Sequence, residues 1–150
     1  AGVKLITHPS DPPLETVAGV ARIFISQEDF ERAEKIANNQ AWGINFCMGT
    51  FSQLGGEECV MKMIDRFVPE NRIHMIHFRD VQGRVDKFKE CFIGEGRYNP
   101  AKVMNALVQI GYNGLVLDDH VPFLTADSRW GHTARAYTYG FLKGLAYNLR

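Results

Sequence analysis

Four short apolar runs, each ending abruptly in residues able to hold a proton or a metal, constrain the fold of this chain more than any other feature. Gly2 to His8 ends in His8-Pro9, Trp42 to Cys47 ends in Phe46-Cys47, Arg72 to Phe78 carries His77 and leads into Arg79-Asp80, and Leu115 to Asp119 runs on into His120. After each run, apolar residues recur at helical spacing: Phe30, Ala33, Ile36 and Ala37, then Val60, Met61, Ile64 and Phe67, then Val103, Leu107 and Ile110, and finally Tyr137, Phe141, Leu142 and Leu145. A strand followed by a helix, four times over, implies a parallel sheet with right-handed crossovers. His8, Cys47, His77 and Asp119 lie 39, 30 and 42 residues apart, close to one βα unit each time. The fold class expected is therefore α/β of the TIM-barrel type. Four βα units are half of an eightfold barrel, which takes about 250 residues. The alternative is an open four-stranded sheet, whose edges would need covering.

The punctuation between the runs is consistent with this order. Pro9, Pro12 and Pro13 forbid helix and impose an extended loop through Gly19, after which Val20 to Ile25 reads as a short strand or packed segment. Ser26 is a good N-cap, with Asp29 completing a capping-box variant, for a helix from Gln27 to about Asn38. The Gly55-Gly56 pair precedes a helix over Glu57 to Val68, which Pro69 stops. Val85 to Phe92 alternates as an extended excursion. Asn99-Pro100 starts the next helix, and the last runs from about Thr133 to Asn148.

Composition narrows the function by exclusion. Seventeen basic residues balance seventeen acidic ones, so the chain has no basic field for nucleic acid. No run approaches the roughly 18 apolar residues of a membrane span. Cys47, Cys59 and Cys91 form no CxxC pair, which argues against a disulfide framework and for a reducing compartment, the cytoplasm. The chain opens directly on an apolar run, so a natural start further upstream is expected.

Alternation along a strand puts Met75 and Ile73 on the face of His77, with His74 and Phe78 on the opposite face; Asn45 shares a face with Cys47. Two imidazoles, a thiolate and a carboxylate suit zinc, manganese, iron or cobalt better than magnesium or calcium. Taken singly, Cys47 reads as a small core residue, His8 as a loop cap, His77 as a hydrogen-bonded core histidine and Asp119 as a helix cap. Four such donors at the same end of four successive strands point instead to one metal site. Arg79, two residues beyond His77, either meets a substrate carboxylate as a fork or forms an ion pair with Asp80, Asp118 or Asp119. Of Asp118 and Asp119, one is expected to ligate metal and the other to bind a helix or neighbouring strand. Cys59 and Cys91 read as structural.

The segments His8-Pro9-Ser10-Asp11-Pro12-Pro13, Asn45-Phe46-Cys47-Met48-Gly49-Thr50, Ile76-His77-Phe78-Arg79-Asp80-Val81 and Asp119-His120-Val121-Pro122 resemble the mannonate dehydratases of the xylose-isomerase-like TIM-barrel group. Arg135, Gly140 and Lys143-Gly144-Leu145 look like that family's last helix. The resemblance implies that residues 1–150 are the C-terminal half of a single barrel domain, strands five to eight. It implies a divalent metal, usually manganese, held by His8, Cys47, His77 and Asp119, and removal of water from D-mannonate to give 2-keto-3-deoxy-D-gluconate. His120 would act in acid/base chemistry, and Arg79, by its place on the face of His77, is the residue expected to bind the sugar acid. The chain departs from the family at Trp130, which aligns with a catalytic tyrosine and cannot transfer a proton as a phenol can; His132 and Tyr137 are the candidate substitutes. Two other functions compete. One is a sugar isomerase or epimerase of the same group, which would usually offer carboxylates as ligands. The other is a non-catalytic half-barrel that assembles with itself or with a missing amino-terminal half.

Overall fold

A computed structural model describes residues 2–149. In chain order the elements are β1 (Leu5–Thr7), β2 (Thr16–Val17), β3 (Val20–Ala21), α1 (Gln27–Ala37), β4 (Trp42–Cys47), α2 (Met48–Gly55), α3 (Glu57–Phe67), β5 (Ile73–His77), β6 (Val81–Arg84), β7 (Lys87–Glu90), α4 (Pro100–Ile110), β8 (Leu115–Leu117) and α5 (His132–Tyr147). Strands β1, β4, β5 and β8 form one parallel sheet in that order. Each helical stretch between them covers one face, as right-handed crossovers require. Ile44, Phe46 and Ile76 point into that layer and share one core with Phe30 of α1, Val60, Ile64 and Phe67 of α3, and Val103 and Leu107 of α4. The outer strands are less covered: Leu5 is 71% exposed and Leu115 66%. No helix among the described residues is long and apolar enough to cross a membrane.

Local chemistry explains most of the element ends. Ser26 and Asp29 form the reciprocal capping box of α1, and Asn99 with Pro100 opens α4. The segment around Val20 is the second arm of a β2–β3 hairpin whose two turn residues, Ala18 and Gly19, both have positive φ (50° and 79°), the twist that suits a two-residue hairpin. The extended excursion is the β6–β7 hairpin, beginning four residues earlier than its alternation suggests.

Two features depart from the sequence reading. The first is α2, which begins at Met48 with no loop after β4. Met48 through Gln53 are all buried, so the helix has no polar stripe and leaves no amphipathic period to read. The second is a register shift between β4 and β5: Ile44 pairs with Ile73, but Asn45 pairs with Met75, leaving His74 as an extra residue in β5. Ile73 consequently lies in the helix-side core, 2% exposed, and not on the face of His77. The His74 ring fills the space over Gly43, where a Cβ would stand 2.2 Å from its Cδ2, on the face that Asn45 and Cys47 share. A bulge breaks strict alternation, and both parity assignments fail for that reason. Phe78 does face the helix-side core.

The start of α5 depends on a residue outside the helix. The Asp127 carboxylate accepts from the backbone N–H groups of Thr133, Ala134 and Ser128, and those bonds hold its pKa down to about 2. A depressed acid contributes stability above its unfolded pKa, near 4, and loses it as pH falls through the folded value. Asp127→Ala is therefore expected to melt below the parent at neutral pH, with the two melting curves converging between pH 4 and 2. A gap that persists at pH 2 would refute the capping role.

Candidate metal centre

The open face of the sheet ends in a cluster built from four strands. His8 follows β1, Cys47 closes β4, His77 closes β5 opposite Cys47, and Asp119 lies two residues beyond β8. One ligand atom from each of these four lies within 4.8 Å of the other three. Asp119 is held at φ 62°, a left-handed conformation uncommon outside glycine. Backbone strain of this kind tends to gather where a side chain must be aimed.

The donors are oriented by their neighbours. His8 Nδ1 lies 2.7 Å from the Pro9 carbonyl, which can only accept, so that nitrogen carries the proton and Nε2 is left with its lone pair. The rings of His8 and His77 meet with centroids 5.1 Å apart. His77 Nδ1 is 3.3 Å from Asp119 Oδ2. Burial works against a charged His77, but the closeness of Asp119 and Cys47 wins and pushes its pKa up to about 9. The same partnership holds Asp119 below the ordinary carboxylate range, against the effect of burial. Two imidazoles, a thiol and a carboxylate brought within 4.8 Å of one another are a donor set that fits a divalent metal.

Beneath the cluster lies Arg79, 1% exposed. Its Nε and Nη2 form a fork on Glu90, at 2.9 and 2.5 Å, and Nη1 bonds Asp11. Nη1 also stands 3.7 Å from Cys47 Sγ. Gln53 of α2 holds the other Asp11 oxygen at 3.0 Å. The partners of Arg79 are thus Asp11 and Glu90, not Asp80, Asp118 or Asp119. A substrate carboxylate could reach the guanidinium only by displacing one of them. Sequence reasoning missed Glu90, Asp11 and Gln53 as members of the site. Asp11 lay within a recognised motif, whereas Glu90 comes from a hairpin outside the four βα units.

Asp118 and Asp119 turn to different partners, Asp119 to the cluster and Asp118 to the last helix. Asp118, buried, accepts from Arg135 at 2.7 Å and from the Tyr139 hydroxyl at 3.3 Å, tying β8 to α5. Asp80 is a fixed structural acceptor: its two oxygens take the backbone N–H groups of Val81, Gly94, Gly96 and Arg97 at 2.9 to 3.1 Å. His120 is 57% exposed at the mouth, with Nδ1 3.4 Å from Glu90 Oε1 and Nε2 3.8 Å from Asp119 Oδ1. The Glu90 contact raises its pKa. Beside it opens a cavity of about 240 Å³ lined by Glu90, His120, Arg129, Trp130 and Arg135 among others. Trp130 therefore faces the mouth, whereas Tyr137 packs at a tilt against Phe92 and His132 bonds Ser128. Cys91 is buried, which pushes its thiol pKa up to about 12, and Cys59 sits on α3 against Gly55.

Comparison with known proteins agrees with this architecture. The family description "D-mannonate dehydratase (UxuA)" matches residues 1–150. A mannonate dehydratase of Thermotoga maritima is 35% identical over 136 residues, covering 89% of this chain and 36% of that protein. The chain thus spans about a third of the length of the curated relatives it matches. The crystal structure of mannonate dehydratase from Streptococcus suis serotype 2 superposes with a TM-score of 0.86 at 26% identity, over 99% of this chain and 44% of that one. A xylose isomerase domain protein from Alicyclobacillus acidocaldarius superposes at 0.70 with 18% identity, a likeness of fold alone. The fold is accordingly that of a partial (β/α) TIM barrel. Because one family's pattern runs through every segment that builds the mouth of the sheet, from His8 to the last helix, the chain belongs to the D-mannonate dehydratase (UxuA) family.

Proposed function

We propose that this chain forms the metal-binding half of a hydro-lyase that removes water from a sugar acid in the cytoplasm, with D-mannonate as substrate and 2-keto-3-deoxy-D-gluconate as product. The observation that carries this reading is the convergence of His8, Cys47, His77 and Asp119 within 4.8 Å in a chain that the family pattern covers throughout. In it, residues 1–150 are the C-terminal half of one domain, and the exposed edges at Leu5 and Leu115 are closed by an amino-terminal half. A second copy of the chain is the alternative partner.

His8, Cys47, His77 and Asp119 would hold the cation: manganese by family, with iron, cobalt and zinc suited to the same donors. When bound, it supplies positive charge that makes a proton next to a carboxylate easier to remove. His120 stands at the mouth, open to substrate, and Glu90 favours its protonated form. That suits it to give a proton to the departing hydroxyl. Trp130 offers only an N–H donor, so it serves as wall and not as base. Arg79 acts from below, fixing Glu90 and Asp11 in place and lending charge beside Cys47.

Equilibrium dialysis against manganese, followed by elemental analysis, tests the site. The chain should retain one equivalent, and Cys47→Ala should bind at least ~100-fold more weakly, beyond the ~10- to 100-fold that loss of a supporting partner costs. Because His77 must shed its proton, binding should release protons and tighten as pH rises towards 9. Retention unchanged by Cys47→Ala would sink the site. With the barrel completed, an aldonate should yield a 2-keto-3-deoxy acid; a ketose formed without loss of water would make the enzyme an isomerase instead.

A further inference from the structure

The two histidines of the cluster are held in different ways. His8 is committed to Nε2 by the Pro9 carbonyl. His77 has Nδ1 turned towards Asp119, at an ion-pair distance without an aligned hydrogen bond, and Nε2 turned away, 3.1 Å from the amide of Asn45. Asn45 is 7% exposed, and its Oδ1 is a buried acceptor with no partner. One ring therefore stands between two unsatisfied atoms, His77 Nδ1 and Asn45 Oδ1. A half-turn of the Asn45 amide gives that acceptor a partner by presenting Oδ1 to Nε2, with the amide NH₂ taking the place the oxygen held.

We infer that Asn45 is a positioning residue for the metal centre: its Oδ1 accepts the Nε2 proton of His77 and thereby commits Nδ1 to the cation. The inference rests on the metal site proposed above and adds to it which nitrogen of each imidazole is used, Nε2 of His8 and Nδ1 of His77. Strand geometry places the residue for this task. Asn45 precedes Cys47 by two on the same face of β4, and Cys47 pairs directly with His77 across the ladder, so an amide at position 45 lies alongside the far edge of that ring. Ligating histidines commonly donate their second N–H to such a partner, which fixes both tautomer and ring angle.

The test uses zinc as a diamagnetic probe in the 150-residue chain labelled with ¹⁵N-histidine. In the zinc-loaded protein, His77 should carry its proton on Nε2, with Nδ1 bound to zinc. By titration calorimetry Asn45→Asp, which keeps an acceptor, should bind zinc within a few-fold of the parent, and Asn45→Leu should bind it ~10- to 100-fold more weakly. Circular dichroism should show both variants folded. A proton on Nδ1, zinc affinity unchanged in Asn45→Leu, or equal losses in Asn45→Asp and Asn45→Leu would each overturn the role of Asn45 while leaving the metal site standing. Failure of the parent chain to bind zinc would overturn both.

Discussion

Asp80→Ala should lose a large part of the protein's stability. The carboxylate is 1% exposed and accepts four backbone N–H groups, from Val81, Gly94, Gly96 and Arg97. Truncation leaves four N–H groups converging on a void, on residues that range from buried Val81 to half-buried Gly96 and Arg97 and exposed Gly94. A donor orphaned away from water costs about 1–3 kcal/mol, so loss of this shared acceptor removes a large part of a domain's stability, about 5–15 kcal/mol in all. Gly96 cannot adapt to a changed partner: a Cβ there would lie 1.9 Å from Asp80 Oδ1 and 2.6 Å from the Val81 carbonyl. Gly96→Ala should therefore be nearly as damaging. Asp80→Asn, which keeps one acceptor but sets an NH₂ against converging donors, should fall between parent and Asp80→Ala. Far-ultraviolet circular dichroism and urea unfolding read the series, and a midpoint for Asp80→Ala close to the parent's would refute this account.

The second large effect is expected at Arg79. Replacing it by methionine keeps much of the buried volume but leaves Glu90 and Asp11 without their cation. Breaking a buried pair by removing one partner costs about 3–5 kcal/mol. Arg79→Lys should restore little, because an ammonium cannot span the two Glu90 oxygens and Asp11 as the planar fork does. Burial works against ionised Glu90, yet His120 and Arg79 hold its pKa below the ordinary value. The stability that Glu90 contributes is thus present above its unfolded pKa, near 4, and is lost as pH falls below it. The gap between parent and Arg79→Met in urea unfolding should accordingly narrow below about pH 4. A lysine variant as stable as the parent would show that the fork is dispensable.

The parts of the fold legible in the sequence were those carried by local chemistry. The capping box at Ser26 and Asp29 and the Asn99-Pro100 start each satisfy orphaned backbone groups in a way that few other residues can. The donors His8, Cys47, His77 and Asp119 were legible because each stands at the end of an apolar run, and in the folded chain they lie within 4.8 Å of one another. What stayed hidden depends on contacts between segments remote in sequence. Glu90 reaches Arg79 only because the β6–β7 hairpin folds back over the mouth, and nothing in Lys87-Phe88-Lys89-Glu90 records that path. Helix α2 was hidden because burial on all sides erases the contrast on which a periodicity depends. The Asp118-Asp119 pair could not be divided beforehand, since the assignment turns on Arg135 of α5 standing behind Asp118.

The extra residue in β5 bears on which changes in length this strand tolerates. Ile73 and Ile76 both enter the core although three positions separate them, a spacing that a regular strand would send to opposite sides. With His74 removed they would be two apart, and the ordinary pleat would deliver both to the core with His77 still at the mouth. The bulge, His74 or Met75, is therefore where a deletion conserves the destinations of Ile73, Ile76 and His77, and the choice decides only whether an imidazole or a thioether is left in the place opposite Asn45. A deletion beyond the bulge, of Ile76, would instead shift His77 by one place and carry it out of line with Cys47.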